Sequence, residues 1–199
     1  STSLREFLIG LGMGPDLAPR DVTTAEVQAV CDSAPFEGLV SLLGAAIETG
    51  AVQCEAADIA RVNAAWLDRM AWCVLLDGAL TDVVTRLAAA GIDTRVLKGA
   101  AIATLDEPHP SWRSYGDVDL LVPRDALLQA ADVLSTSGWR AVVPPVSRSW
   151  TARHAKSITL VDDTGVQLDL HRLLATGPLG ARVNPSALFG PGDVLTVGA

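Results

Sequence analysis

Two aspartates stand two residues apart in the stretch Arg113-Ser-Tyr-Gly-Asp117-Val-Asp119-Leu-Leu-Val122. Residues i and i+2 of a strand project from the same face. A strand over 117–122 therefore turns both carboxylates one way and Val118, Leu120 and Val122 the other. Two carboxylates held together repel unless a cation sits between them. Oxygen-only ligands favour magnesium or manganese over zinc. Upstream, a short apolar run ends in Leu97-Lys98-Gly99. Downstream, Gln167, Asp169 and His171 alternate with Val166, Leu168 and Leu170, so the polar set faces away from the core. If this strand lies beside the first, Asp117, Asp119 and Asp169 converge. Three carboxylates are the number needed for a two-metal phosphoryl-transfer site.

Gly99 stands where a helix should start just after a strand. Exposed backbone amides and the positive helix end suit a phosphate there. Blander readings stand beside these. A lone Asp-x-Asp often only caps or turns, and an exposed strand Asp is unremarkable; the ordered set carries the functional reading. His171 is open to three roles: orienting Asp169, contacting nucleotide, or filling a partly exposed structural position. A zinc site from His109, His154 and His171 is not expected, since no pair has the usual short spacing. Arg153, His154 and Lys156 read as a solvated strand edge. Trp66 and Trp72 fall on an apolar helical stripe and read as core rather than as stacking platforms.

The ordered set Leu97-Lys98-Gly99, Arg113, Asp117-Val-Asp119-Leu-Leu-Val122 and Leu168-Asp169-Leu170-His171 resembles the uncharacterised nucleotidyltransferases of the polymerase-beta-like superfamily. The resemblance covers roughly residues 60 to 175 by motif order and spacing. It implies an α+β fold, a nucleotidyltransferase core with a mixed sheet flanked by helices. It implies transfer of a nucleoside monophosphate from a nucleoside triphosphate to a hydroxyl-bearing acceptor. In that picture Asp117 and Asp119 bridge two Mg2+ (or Mn2+) ions and Asp169 completes the activating site. Lys98, Gly99, Arg113 and His171 bind the nucleotide. The wider superfamily usually places Ser or a second Gly after the glycine, whereas Ala100 follows here. A side-chain hydroxyl contact to phosphate is therefore missing. That departure keeps a second reading open, a catalytically silent nucleotide-binding or regulatory module. A phosphotransferase moving the terminal phosphoryl group is a third.

Net charge is −8, from 15 basic and 23 acidic side chains. Non-specific duplex binding depends on Lys and Arg neutralising phosphates, so long nucleic acid is not an expected partner. Hydrophobic residues make up 49% of the chain, enough for a real core, yet no run of 18 uncharged apolar residues predicts a membrane span. No basic, apolar leader opens the sequence, so no secretory signal is expected. Three cysteines without Cys-x-x-Cys spacing read as reduced thiols of a cytoplasmic protein.

These motifs need elements to position them. Residues 1–90 read as a helical region: a helix around Leu4–Leu11, one capped by Thr23 or Thr24 with Glu26 near its start, and one from Pro35 to about Thr49. A long helix follows over about 54–90, which Gly78 could bend or divide and Gly91 ends. Residues 91–175 read as the core. Strands are expected over 94–97, 117–122 and 139–143, helices over 99–105 and from Pro123 to about 137, and a hairpin pairs 157–161 with 166–173 around Asp162-Asp163-Thr164-Gly165. Residues 176–199 show no clear periodicity. The resemblance implies further helices after this point, so a C-terminal truncation is expected.

Overall fold

The computed structural model describes residues 3–12, 18–33, 38–144, 147–175 and 185–192. The expected helix start at Pro35 lies outside them. The chain divides into two compact units, one of residues 1–73 and 103–116, the other of residues 74–102 and 117–199.

The first unit is mainly helical. Helix α1 spans Leu4–Gly12, a two-residue strand β1 covers Arg20–Asp21, and α2 spans Thr24–Cys31. Thr23 and Glu26 close a reciprocal capping box at the start of α2, satisfying two amides that the helix leaves unpaired. Helix α3 is Leu39–Glu48, β2 is Val52–Gln53, and α4 runs Ala56–Ala89, with residues 56–73 in this unit and the rest in the second. Strands β1 and β2 pair in parallel. Leu8, Val27, Leu43, Ala46 and Val62 are buried together, the apolar stripes of four helices closing on one core. Helix α4 is not divided at Gly78, and it ends where Gly91 adopts φ 73°.

The indoles of α4 hold the loop that leads to Asp117. Trp66 Nε1 donates to Ser111 O at 3.1 Å, and Trp72 Nε1 donates to Gly116 O at 3.3 Å. Cys73 Sγ lies 3.7 Å from Tyr115 O. Trp66 packs against the core of this unit, as expected, and spends its one donor on a loop carbonyl; Trp72 is half-buried and spends its donor in the same way.

The second unit is built on a sheet. Strand β3 is Arg95–Leu97, β4 is Val118–Leu121, β5 is Arg140–Ala141, β6 is Ser157–Val161 and β7 is Gln167–His171. Among the described residues these five strands lie in the order β3-β4-β7-β6-β5. The β4–β7 pair is parallel and the other pairs are antiparallel, giving the expected mixed sheet. Helix α5, Gly99–Leu105, follows β3 at once. Helix α6, Leu127–Ser135, packs Leu127, Ala130 and Leu134 on the face carrying Leu160, Leu168 and Leu170. The fold is α+β, as the resemblance implies.

Three expectations need correction here. Residues 124–126 form a turn, so α6 starts later than Pro123. The strand expected over 139–143 shrinks to two residues because Trp139 is buried and bonds back to Leu134 O. Arg153 and His154 are not on a strand edge: Arg148–His154 is a short helix, α7, capped by Ser147, whose Oγ accepts from Trp150 N. Arg172, itself buried, donates to Ala152 O and Arg153 O near the end of α7, a cation placed at the negative end of a helix. No helix among the described residues is long and apolar enough to cross a membrane.

Candidate active site

Strand β4 lies between β3 and β7, and its alternation decides where the acidic side chains go. Val118 and Leu120 are buried on the α6 side, and Asp119 takes the other face. In the register, Asp119 stands opposite Leu97 on β3 and opposite Asp169 on β7. The same period places His171 on the face of Asp169. Asp117 lies just before β4.

Asp119 is 4% exposed and does not stand alone. Lys98 Nζ donates to its Oδ1 at 2.6 Å, and His171 Nε2 donates to the same oxygen at 2.7 Å. Burial by itself would raise the Asp119 pKa, but these two hydrogen bonds and the Lys98 charge outweigh it and hold the carboxyl below its ordinary value. Lys98 is correspondingly pushed up, chiefly by its hydrogen bond to Asp119. Its backbone has φ 48°, an uncommon state for a side-chain-bearing residue that costs about 1–3 kcal/mol. That turn, directly after β3, is what brings the ammonium to Asp119.

His171 is 3% exposed, more buried than a side chain that merely fills a surface position. Because a carboxylate only accepts, Nε2 carries the proton in this bond. Its Nδ1 is buried with no hydrogen-bond partner among the described residues. Asp169 Oδ1 accepts from Thr159 Oγ1 at 2.6 Å. Thr159 escaped the sequence reading, although it is the register partner of Asp169 in the hairpin; counting back from the Asp162–Gly165 turn would have found it.

Ligand atoms of Asp119, Asp169 and His171 all lie within 4.8 Å of one another. Asp117 is outside this trio but feels it. Its carboxyl is pushed up, first by burial and then by the negative charges of Asp119 and Asp169. Three carboxylates are thus drawn into one region with a single lysine bonded to one of them. The carboxylate oxygens fit a hard divalent cation, while His171 commits its Nε2 proton to Asp119. Gly99 begins α5 beside this cluster in sequence. Arg113 belongs to the first unit, where its Nη1 lies 4.0 Å from Glu107 Oε1.

The α+β fold with its mixed five-stranded sheet is consistent with a nucleotidyltransferase. Within that class, the chain belongs to the uncharacterised nucleotidyltransferase family, which it matches over residues 23–191. No curated protein matches it.

Proposed function

We propose that the chain is a metal-dependent nucleotidyltransferase that moves a nucleoside monophosphate from a nucleoside triphosphate to a hydroxyl acceptor, with residues 91–175 as its core. The observation that carries this reading is the Asp119–Asp169 register pair, whose ligand atoms lie with those of His171 within 4.8 Å. Asp117, Asp119 and Asp169 would hold Mg2+ or Mn2+, which supply charge neutralisation and an activated hydroxyl to an in-line displacement. The acceptor oxygen bonds to the α-phosphorus, the bond to the bridging oxygen breaks, and pyrophosphate leaves.

The chain's own groups divide the remaining work. Asp169 takes the acceptor's proton, its orientation set by Thr159 at 2.6 Å. His171 holds Oδ1 of Asp119 and so aims Oδ2. Lys98, whose side chain is 59% exposed, exchanges its bond to Asp119 for a phosphate oxygen. The amide of Gly99 completes the phosphate contacts offered by the second unit. Cys31, Cys54 and Cys73 form no disulfide among the described residues, in keeping with the proposed cytoplasmic setting.

The test is pyrophosphate release from each triphosphate with Mg2+ or Mn2+ across a panel of hydroxyl acceptors. Asp119→Ala and Asp169→Ala should each abolish release while leaving the fold intact; retained turnover in both contradicts the proposal. One observation favours a second reading. Lys98 itself supplies a counter-charge to the buried Asp119, as a silent nucleotide-binding module would require. Metal-dependent triphosphate binding with no release from any acceptor would select that reading.

A further inference from the structure

The first unit contains a cavity of about 270 Å3 against one face of α3. Ser41, Gly44 and Glu48 line it, at i, i+3 and i+7, which is one stripe of a helix. Trp66, Trp112 and Asn63 line the rest, with Ala45, Ile47 and Ser111. Glycine at the middle of a helix costs about 1 kcal/mol relative to alanine. Gly44 keeps this wall open: a Cβ there would already touch Trp66 Cδ1 at 3.9 Å.

Both indoles are fixed by their N–H groups. Trp66 Nε1 donates to Ser111 O, and Trp112 Nε1 donates to Glu48 Oε2 at 3.3 Å. Their rings are therefore held before any ligand arrives. Ser41 is 1% exposed, and its Oγ has no hydrogen-bond partner among the described residues. A buried hydroxyl without a partner is costly, and Ser41 is one of the residues that line the cavity. At the other end of the stripe, Glu48 is exposed, and no basic side chain among the described residues forms an ion pair with it. Seven residues of helix separate the two by roughly 10 Å along the axis.

We propose that this cavity binds a small organic amine. Its ammonium lies at Glu48 beside the Trp112 ring, its apolar body lies along Trp66 and Gly44, and a hydroxyl at its far end bonds Ser41 Oγ. A carboxylate next to an indole attracts a cation both directly and through the ring quadrupole. The net charge of −8 favours approach of a cationic ligand. The proposal uses none of Asp117, Asp119, Asp169 or their partners.

The test uses three probes on the full chain: 6-amino-1-hexanol, hexylamine, and 1,6-hexanediol as the neutral counterpart of equal length. Binding is read by calorimetry and by tryptophan fluorescence, with circular dichroism as the fold check. The amino alcohol should bind at least about tenfold tighter than the diol, the worth of one charge-assisted hydrogen bond. Glu48→Gln should erase that difference. Ser41→Ala should weaken the amino alcohol to the level of hexylamine and leave hexylamine unchanged. Equal binding of amine and diol, no binding of any probe to the folded wild type, or indifference to Glu48→Gln overturns the proposal. Indifference to Ser41→Ala overturns the placement of the hydroxyl.

Discussion

Lys98 Nζ lies 2.6 Å from Asp119 Oδ1, reaching it from a left-handed backbone turn at the end of β3. The ammonium occupies an oxygen that a metal ion would need. Removing it should therefore have two opposite effects. Lys98→Met should bind Mn2+ more tightly in the absence of nucleotide, because the competing cation is gone. The same variant should lose at least about tenfold in turnover, because a charged contact to phosphate is gone. Paramagnetic titration with Mn2+ and a steady-state pyrophosphate assay separate the two effects.

Asp117 and Asp119 should respond in opposite directions to neutralisation. Burial and two neighbouring negative charges disfavour the ionised form of Asp117. Asp117→Asn should raise the denaturation midpoint in chelator at neutral pH. Asp119 is held ionised by His171 and Lys98. Asp119→Ala should lower stability by about 1–3 kcal/mol, since the buried His171 Nε2 loses its acceptor. Urea titrations in EDTA measure both.

The same shifts set a pH dependence. The folded pKa of Asp119 lies below its unfolded value of about 3.9. Its contribution is fully present above that value and lost as pH falls through the folded pKa. Asp117 has a raised folded pKa. Its contribution is present below the unfolded value and lost as pH rises through the folded one. Metal binding needs the ionised carboxylates, so Mn2+ affinity should fall as pH drops from about 7 toward the raised Asp117 value. The decline should be shallower in Asp117→Asn, which has no proton to take up there.

What the sequence made readable was local. Thr23 and Glu26 announce their capping box within four residues, and Gly91 ends α4 by its own left-handed backbone. Alternation in 166–171 separates Asp169 from Leu168 and Leu170 without knowledge of the neighbouring strand. The pairing itself was only conditional. Asp119 and Asp169 are 50 residues apart, and nothing local states that β4 and β7 run in parallel. Helix α7 stayed hidden because Arg148-Ser-Trp-Thr-Ala-Arg-His154 has no apolar stripe, and its Ser147 cap lies beside two prolines. Strands β1 and β2, two residues each, are too short to show any period. The reach of Lys98 to Asp119 depends on one backbone angle, which composition does not encode.

Trp72 ties the residue before Asp117 to α4 through its bond to Gly116 O. Trp72→Phe keeps the ring and removes the donor. It should cost about 1 kcal/mol of stability. It should lower kcat more than it raises the KM for triphosphate, because the loop enters the strand that carries the carboxylates. A variant with unchanged kcat and reduced stability would assign the bond a purely structural role. Thermal denaturation and steady-state kinetics give the comparison.

The most direct test is calorimetric titration of each nucleoside triphosphate with and without Mg2+, on the wild type and on Asp119→Ala. The carboxylate cluster, read as a metal-nucleotide site, predicts binding that requires both the metal and Asp119, and the preferred triphosphate identifies the base. Equal affinity in the two proteins, or binding that ignores the metal, would contradict it.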